Sequence, residues 1–475
     1  MSSWLAERLS WSRFLKQELQ RSWSGLLASL LLHLVLCVIL ASLVIRLHRE
    51  ESLPFQLSWA TQVTREPAPP PEPPPVISLP SLSSGSSPPP ASQPVQQAPT
   101  PQPASARPVT APVDVSTVLA VRPQRETNQQ PESTQPQLRE ALDRGLNWLV
   151  RQQFADGHWS LNGPYPDGGS VETSTGATAL ALLALLGDGH THRTGPYANS
   201  VSKGLNWLIQ QQRPNGDLFD SAEEGREPHF YAHAQATIAL CEALALTGDE
   251  GLRAPATRAV QFLVRSQNPK LGGWKYRPLS ETGIGDLSVT GWVLMALHTA
   301  RMAGIDPPPE TFLLADRFLD SVQENPLNGG IYKYRPDFPP DSSQQLSMTA
   351  TGLLCRQWLG WPKQHFEMQR GLEFIRQVKH RPEWLAERRN LYAWYYVTQV
   401  LHNVGGGHWE QWYAEISQLL LQHQQGAGAV RGSWHPYRPA GAFQERSRDG
   451  GRLYVTVLCL LILETPQRHA PIGSD

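Results

Sequence analysis

The chain writes one phrase several times over, and a chain that repeats at a period of about 45–60 residues has to bury itself against its own copies. "GLNWLVRQQFADGHW" at 145–159 returns as "GLNWLIQQQRPNGDL" at 204–218, "AVQFLVRSQNPKLGGW" at 259–274 and "ADRFLDSVQENPLNGGIY" at 315–332. "GLEFIRQVKHR" from Gly371 opens a fifth unit without the glycine turn, and "ISQLLLQHQQGAGAVRGSW" at 416–434 closes a sixth. Each opening has the i, i+3/i+4 apolar spacing of an amphipathic helix, and in most units a Gly-rich turn then stops it. A second segment follows each time: "GATALALLALLG", "AQATIALCEALALTG", "GWVLMALHTARMAG", "TATGLLCRQWLG", "AWYYVTQVLHNVGG" and "YVTVLCLLIL". A helix apolar on nearly every side belongs inside. The pattern predicts an all-α domain over 137–466, built of six pairs with a polar-faced outer and a buried inner helix, and a tail at 467–475. Six pairs can close into an (α/α)6 toroid, which leaves no raw ends to cap.

A net charge of −1 over 475 residues gives no field toward nucleic acid. Cys37, Cys241, Cys355 and Cys459 sit in apolar segments with no CxxC spacing, so buried thiols are expected rather than disulfides or a zinc site. Neither a cofactor nor a metal is implied.

The N-terminal region sets the expected compartment. Residues 1–23 carry Arg8, Arg13, Lys16 and Arg21, and 24–45, "SGLLASLLLHLVLCVILASLVI", carries no formal charge. About 20 apolar residues cross a bilayer, and the basic flank favours a cytoplasmic N-terminus. The expectation is a single-pass anchor in a bacterial cytoplasmic membrane, with the C-terminal domain extracytoplasmic or periplasmic. A cleaved signal peptide is the rival, but its apolar core would be shorter, and "RLHREE" offers no small-x-small site. Residues 46–136 are Pro-rich ("EPAPPPEPPP") with no apolar period, a disordered linker that gives the domain reach. Ser29 and His33 share one face of the span. That Ser-x-x-x-His helix with its Pro-rich tether resembles TonB-type energy transducers, which implies a proton-motor partner in the membrane. One histidine tolerated in a long apolar helix is the alternative.

Gln153-x-x-x-Gly157-x-Trp159 resembles the QW-type repeat of squalene cyclases and protein prenyltransferases, with looser copies at Gln267, Gly273, Trp274 and at Gln425, Gly432, Trp434. The resemblance covers the whole repeating part and implies an α/α toroid. Its physical content is a staple: glycine for a tight turn, tryptophan packed on the next repeat, glutamine bonded to helix-end backbone.

In such a toroid the inner helices converge their N-termini on one mouth. Aligning them gives a first ring with Val171, His229, Asp286, Gln345, Asn390 and Arg452. A second ring holds Thr173, Tyr231, Ser288, Ser347, Tyr392 and Tyr454; a third holds Thr175, His233, Thr290, Thr349, Trp394 and Thr456. With Trp292 and Tyr395 these line a candidate pocket for a lipid, a glycan or a peptide; bulky aromatics filling the axis are the alternative. His229 and His233 are expected near Asp286, either as a metal-capable set or, preferably, as a structural pair bonded to backbone.

Family cyclases protonate an alkene with an Asp-x-Asp-Asp-Thr-like motif at an inner-helix start. Here Asp286-Leu287-Ser288-Val289-Thr290 keeps one acid, displaced toward the N-terminus, and no second barrel domain is present. Prenyltransferase zinc ligands are missing as well, since Ala239, Leu353 and Val457 stand two residues before the cysteines. A binding or scaffold toroid is therefore expected, with an isoprenoid-lipid enzyme using Asp286 as acid, or a transducer head, as alternatives. Asp286 with Ser288 reads first as an N-cap pair.

Overall fold

The computed structural model describes His33 and residues 136–472, apart from 224–227, 278–282, 326, 328, 342, 442 and 444. The expected span at 24–45 and its Ser29 lie outside the described residues, as does nearly all of the Pro-rich linker. Among the described residues no helix is long and apolar enough to cross a membrane. His33 is helical and exposed.

Twelve α-helices run in order through the C-terminal part: α1 (Pro136–Arg151), α2 (Ser174–Gly187), α3 (Ala198–Gln211), α4 (His229–Thr247), α5 (Arg253–Arg265) and α6 (Leu287–Met302). α7 (Pro309–Ser321), α8 (Gln345–Trp358), α9 (Phe366–Ile375), α10 (Leu391–Val404), α11 (Gly406–His423) and α12 (Ser447–Arg468) complete the set. No strand occurs among the described residues beyond isolated bridges such as Trp274 with Asp286.

The even-numbered helices pack in a cycle, α2 on α4, then α6, α8, α10 and α12, and α12 returns to α2. The odd-numbered helices each pack on inner helices from outside, and α11 touches α1, so the last unit meets the first. The sequence dictates this split. In α2 every residue from Thr175 to Gly187 is buried, whereas α3 buries only Val201, Gly204, Leu205, Trp207 and Leu208.

The staple is visible atom by atom. Trp159, Trp274 and Trp434 are fully buried, and their indoles donate to the carbonyls of Leu149, Leu263 and Leu420 at 2.7, 2.8 and 2.8 Å. Each of those carbonyls belongs to the last turns of an outer helix, where the backbone donors run out and a carbonyl lone pair is left for a side chain. Gln153 Nε2 donates to Gly157 O (2.8 Å) and across to Ser200 O (2.9 Å) on the next outer helix. Gln267 reaches Thr311 O at 3.0 Å. In the sixth unit the residue that does this is Gln424 rather than Gln425: its amide donates to Gly432 O (2.9 Å) and to Ala141 O (2.8 Å), tying the last repeat to the first. Gly432, at φ +96°, sits so close that a Cβ there would lie 2.1 Å from Arg144 O. Only glycine combines that φ with that approach.

Candidate functional site: the mouth of the barrel

Asp286 caps α6. Its Oδ1 accepts from Val289 N–H at 2.9 Å and from the Ser288 hydroxyl at 2.7 Å. Asp286 N–H donates to Trp274 O at 2.8 Å, so the staple turn carries the acid to the helix entrance. The carboxyl is fully buried, and its Oδ2 has no hydrogen-bond partner among the described residues. Burial pushes the Asp286 carboxyl up to about 6; the Ser288 and Val289 donors and the charges of Lys275 and Arg335 oppose this only partly.

Phenols surround that carboxyl. Tyr231 and Ser288 share a hydrogen bond of 2.6 Å, and the Tyr276 and Tyr334 hydroxyls meet at 2.5 Å. Tyr231 and Tyr276 rings lie 5.8 Å apart. Burial and then the Asp286 charge raise the phenols of Tyr231 and Tyr334 above their ordinary value. With Tyr392 and Tyr454, all half-buried, they form a collar over the inner-helix N-termini. Tyr276 and Tyr334 were not among the residues singled out from sequence. A signal was there: "KYRP" is written twice, at 275–278 and 333–336, each time directly after the aromatic residue of the staple.

Below the collar the axis is filled. Trp292 of α6 stacks on Tyr395 of α10 with centroids 5.8 Å apart and meets Tyr396 edge-on at 6.3 Å. Trp394 is buried as well. α6 and α10 both flank α8 in the inner ring, and these side chains meet inside it. Trp292, Trp394 and Tyr395 are thus core residues rather than the walls of an open pocket: the barrel is narrow enough for large rings of α6 and α10 to meet inside it, and Trp394 packs near Trp384 at 6.4 Å.

The third ring serves the staple. Thr290 Oγ1 accepts from Trp274 N–H (3.0 Å), Thr349 from Tyr332 N–H (3.2 Å) and Thr456 from Trp434 N–H (3.2 Å). The first-repeat equivalent is Thr178, which accepts from Trp159 N–H at 2.9 Å, so the alignment through Thr175 slips by one helical turn. His233 replaces the threonine in the second repeat, its Nδ1 accepting from Leu218 N–H at 3.0 Å. His229 Nε2 lies 2.8 Å from Asp217 Oδ2. The histidine pair therefore gathers around Asp217, not Asp286 as the alignment suggested. Burial alone would raise the Asp217 carboxyl, but His229 and the adjacent His233 hold it well below the usual carboxylate range. Asp217 occupies the variable position between the glycine and the apolar residue of its staple, which is why the spacing did not reveal it. No set of three His, Cys, Asp or Glu side chains among the described residues is placed to hold a metal.

No family model matches the sequence. Over 149 residues, 30% of the chain, it is 30% identical to lanosterol synthase of Homo sapiens, and over 155 residues 28% identical to that of Mus musculus. The matched segments span 19% and 20% of those enzymes, so the chain covers about a fifth of the relatives it matches. Among solved structures, an α-1,6-mannanase from Salegentibacter aligns at TM-score 0.49 and 12% identity, covering 69% of this chain and 98% of that one. A type II terpene cyclase from Scytonema aligns at TM-score 0.46 and 15% identity, covering 70% and 98%. The local sequence match and the closed inner ring of helices fit a cyclase-like α/α toroid.

Proposed function

We propose that this chain is a membrane-tethered toroid, held outside a bacterial cytoplasmic membrane, that binds a glycan or peptide across its tyrosine-lined mouth without turning it over. The observation that carries the binding half is the Trp292–Tyr395 stack inside the ring. An enzyme that folds a polyene has to enclose it in a dry cavity of several hundred Å³, and a plugged axis offers a shallow platform instead. Half-buried phenols present flat faces and hydroxyls together, which suits the face of a sugar or an extended backbone. The tether half rests on the uncharged stretch at 24–45 and the Pro-rich linker.

Native mass spectrometry of the detergent-solubilised full chain tests this. A co-purifying glycan or peptide that disappears from Tyr231→Ala/Tyr392→Ala supports the reading, and its retention in that variant overturns it.

One observation favours a second reading, an acid-catalysed isoprenoid-lipid enzyme. Asp286 is buried, keeps one carboxyl oxygen free and stays protonated up to about pH 6, as a general acid requires. Turnover of a polyprenyl substrate that is lost in Asp286→Asn would favour it over the first.

A further inference from the structure

At the end of the barrel opposite Asp286, the C-terminal turns of the inner helices surround a cavity of about 30 Å³. That is room for one or two water-sized particles. Met295, His298 and Met302, all on α6, line it together. Their spacing, i, i+3 and i+7, stacks the three side chains on one stripe of the helix. Trp358 from α8 and His402 from α10 also line it, with polar side chains such as Thr299, Gln399 and Thr465 beside them.

His298 is the anomaly. It is 3% exposed, yet neither ring nitrogen has a hydrogen-bond partner among the described residues. A buried imidazole left so costs free energy unless something else meets its lone pair. Burial, with a smaller push from the Arg301 charge, lowers the His298 imidazole to about 3, and burial lowers His402 to about 4. The Arg301 guanidinium itself lies over the Phe312 ring at 5.8 Å.

We propose that Met295, His298 and Met302 form a binding site for a soft monovalent metal ion, copper(I) in chemical class. Imidazole with two thioethers is a soft donor set that disfavours zinc, calcium and magnesium. The end of α6 adds the negative pole of its dipole. Glu242, another residue of the cavity wall, brings a carboxylate, paired with Arg468 at 2.6 Å. The Trp358 ring stacks on His298 at 5.7 Å and helps fix the imidazole's orientation. The site is independent of the mouth and of whatever binds there.

The test is an anaerobic titration of the full chain in detergent with copper(I) held by a chromophoric chelator, with zinc(II) run in parallel. One equivalent of copper(I) withdrawn from the chelator, and no zinc(II), is the expected result. Met302→Leu conserves volume at a half-buried position and keeps the fold; it should weaken copper(I) affinity about tenfold or more, as should His298→Gln. Failure to withdraw copper(I) overturns the proposal. So does uptake unchanged in both variants, which would place the ion elsewhere, the chain's four cysteines being the first alternative.

Discussion

Ser288 donates its hydroxyl to Asp286 Oδ1 across 2.7 Å while Asp286 Oδ2 keeps no partner among the described residues. One oxygen is thus spent on starting α6 and the other is left buried without a bond among the described residues. A cap and an acid are not exclusive here, because they use different atoms of one carboxyl.

The pH dependence of stability separates the two states of that carboxyl. An unfolded Asp titrates near about 4, whereas folded Asp286 titrates at about 6. The protonated group contributes stability that is fully present below about pH 4 and is lost as pH rises through 6, on the order of 2–3 kcal/mol. Asp286→Asn keeps a good N-cap but cannot ionise. Urea unfolding should therefore show the variant gaining on the wild type between pH 4 and 7; an equal difference at both ends would mean the carboxyl is not raised.

The hydroxyl at the third ring is expected to matter more than its size suggests. Thr290→Val keeps the shape but leaves Trp274 N–H unpaired in a fully buried turn. A loss of about 1–3 kcal/mol is expected, read as a shift in the urea midpoint at constant slope. Thr290→Ser, which restores the acceptor, should recover most of it.

How far the sequence carried the reading follows from which interactions are local. The inner helices were legible because apolar residues cover every side of them, and the outer ones because a stripe does. The staples were legible because Gln, Gly and Trp act within one turn and on the adjoining outer helix. The filled axis was not, since the contact joins Trp292 and Tyr395, 103 positions apart (395 − 292), and depends on the width of the ring. The fifth unit hid its register because no glycine turn joins its two helices.

Ring closure makes the seam between the sixth and first units a test of the toroid itself. Gly432→Ala forces a side chain at φ +96° into Arg144 O. The backbone strain alone costs about 1–3 kcal/mol, with the clash added. Gly428→Ala, also at positive φ but with nothing within 4 Å, carries the strain without the clash. Thermal unfolding should place Gly432→Ala clearly below Gly428→Ala; equal midpoints would mean that the seam opens freely.

Beyond residue 466 sequence reasoning expected a tail, yet Arg468 is buried and holds Glu242 with two bonds, 2.6 and 2.9 Å, while its other terminal nitrogen donates to Leu183 O at 2.6 Å. One guanidinium thus links α12 to both α2 and α4 at the closed end of the barrel. Arg468→Ala strands the Glu242 carboxylate in the core, and breaking such a buried pair costs about 3–5 kcal/mol. Glu242→Gln in that background removes the stranded charge, so the double variant should be more stable than Arg468→Ala alone. A double variant that unfolds at the same urea concentration as the single one would show that Arg468 acts through packing and not through its charge.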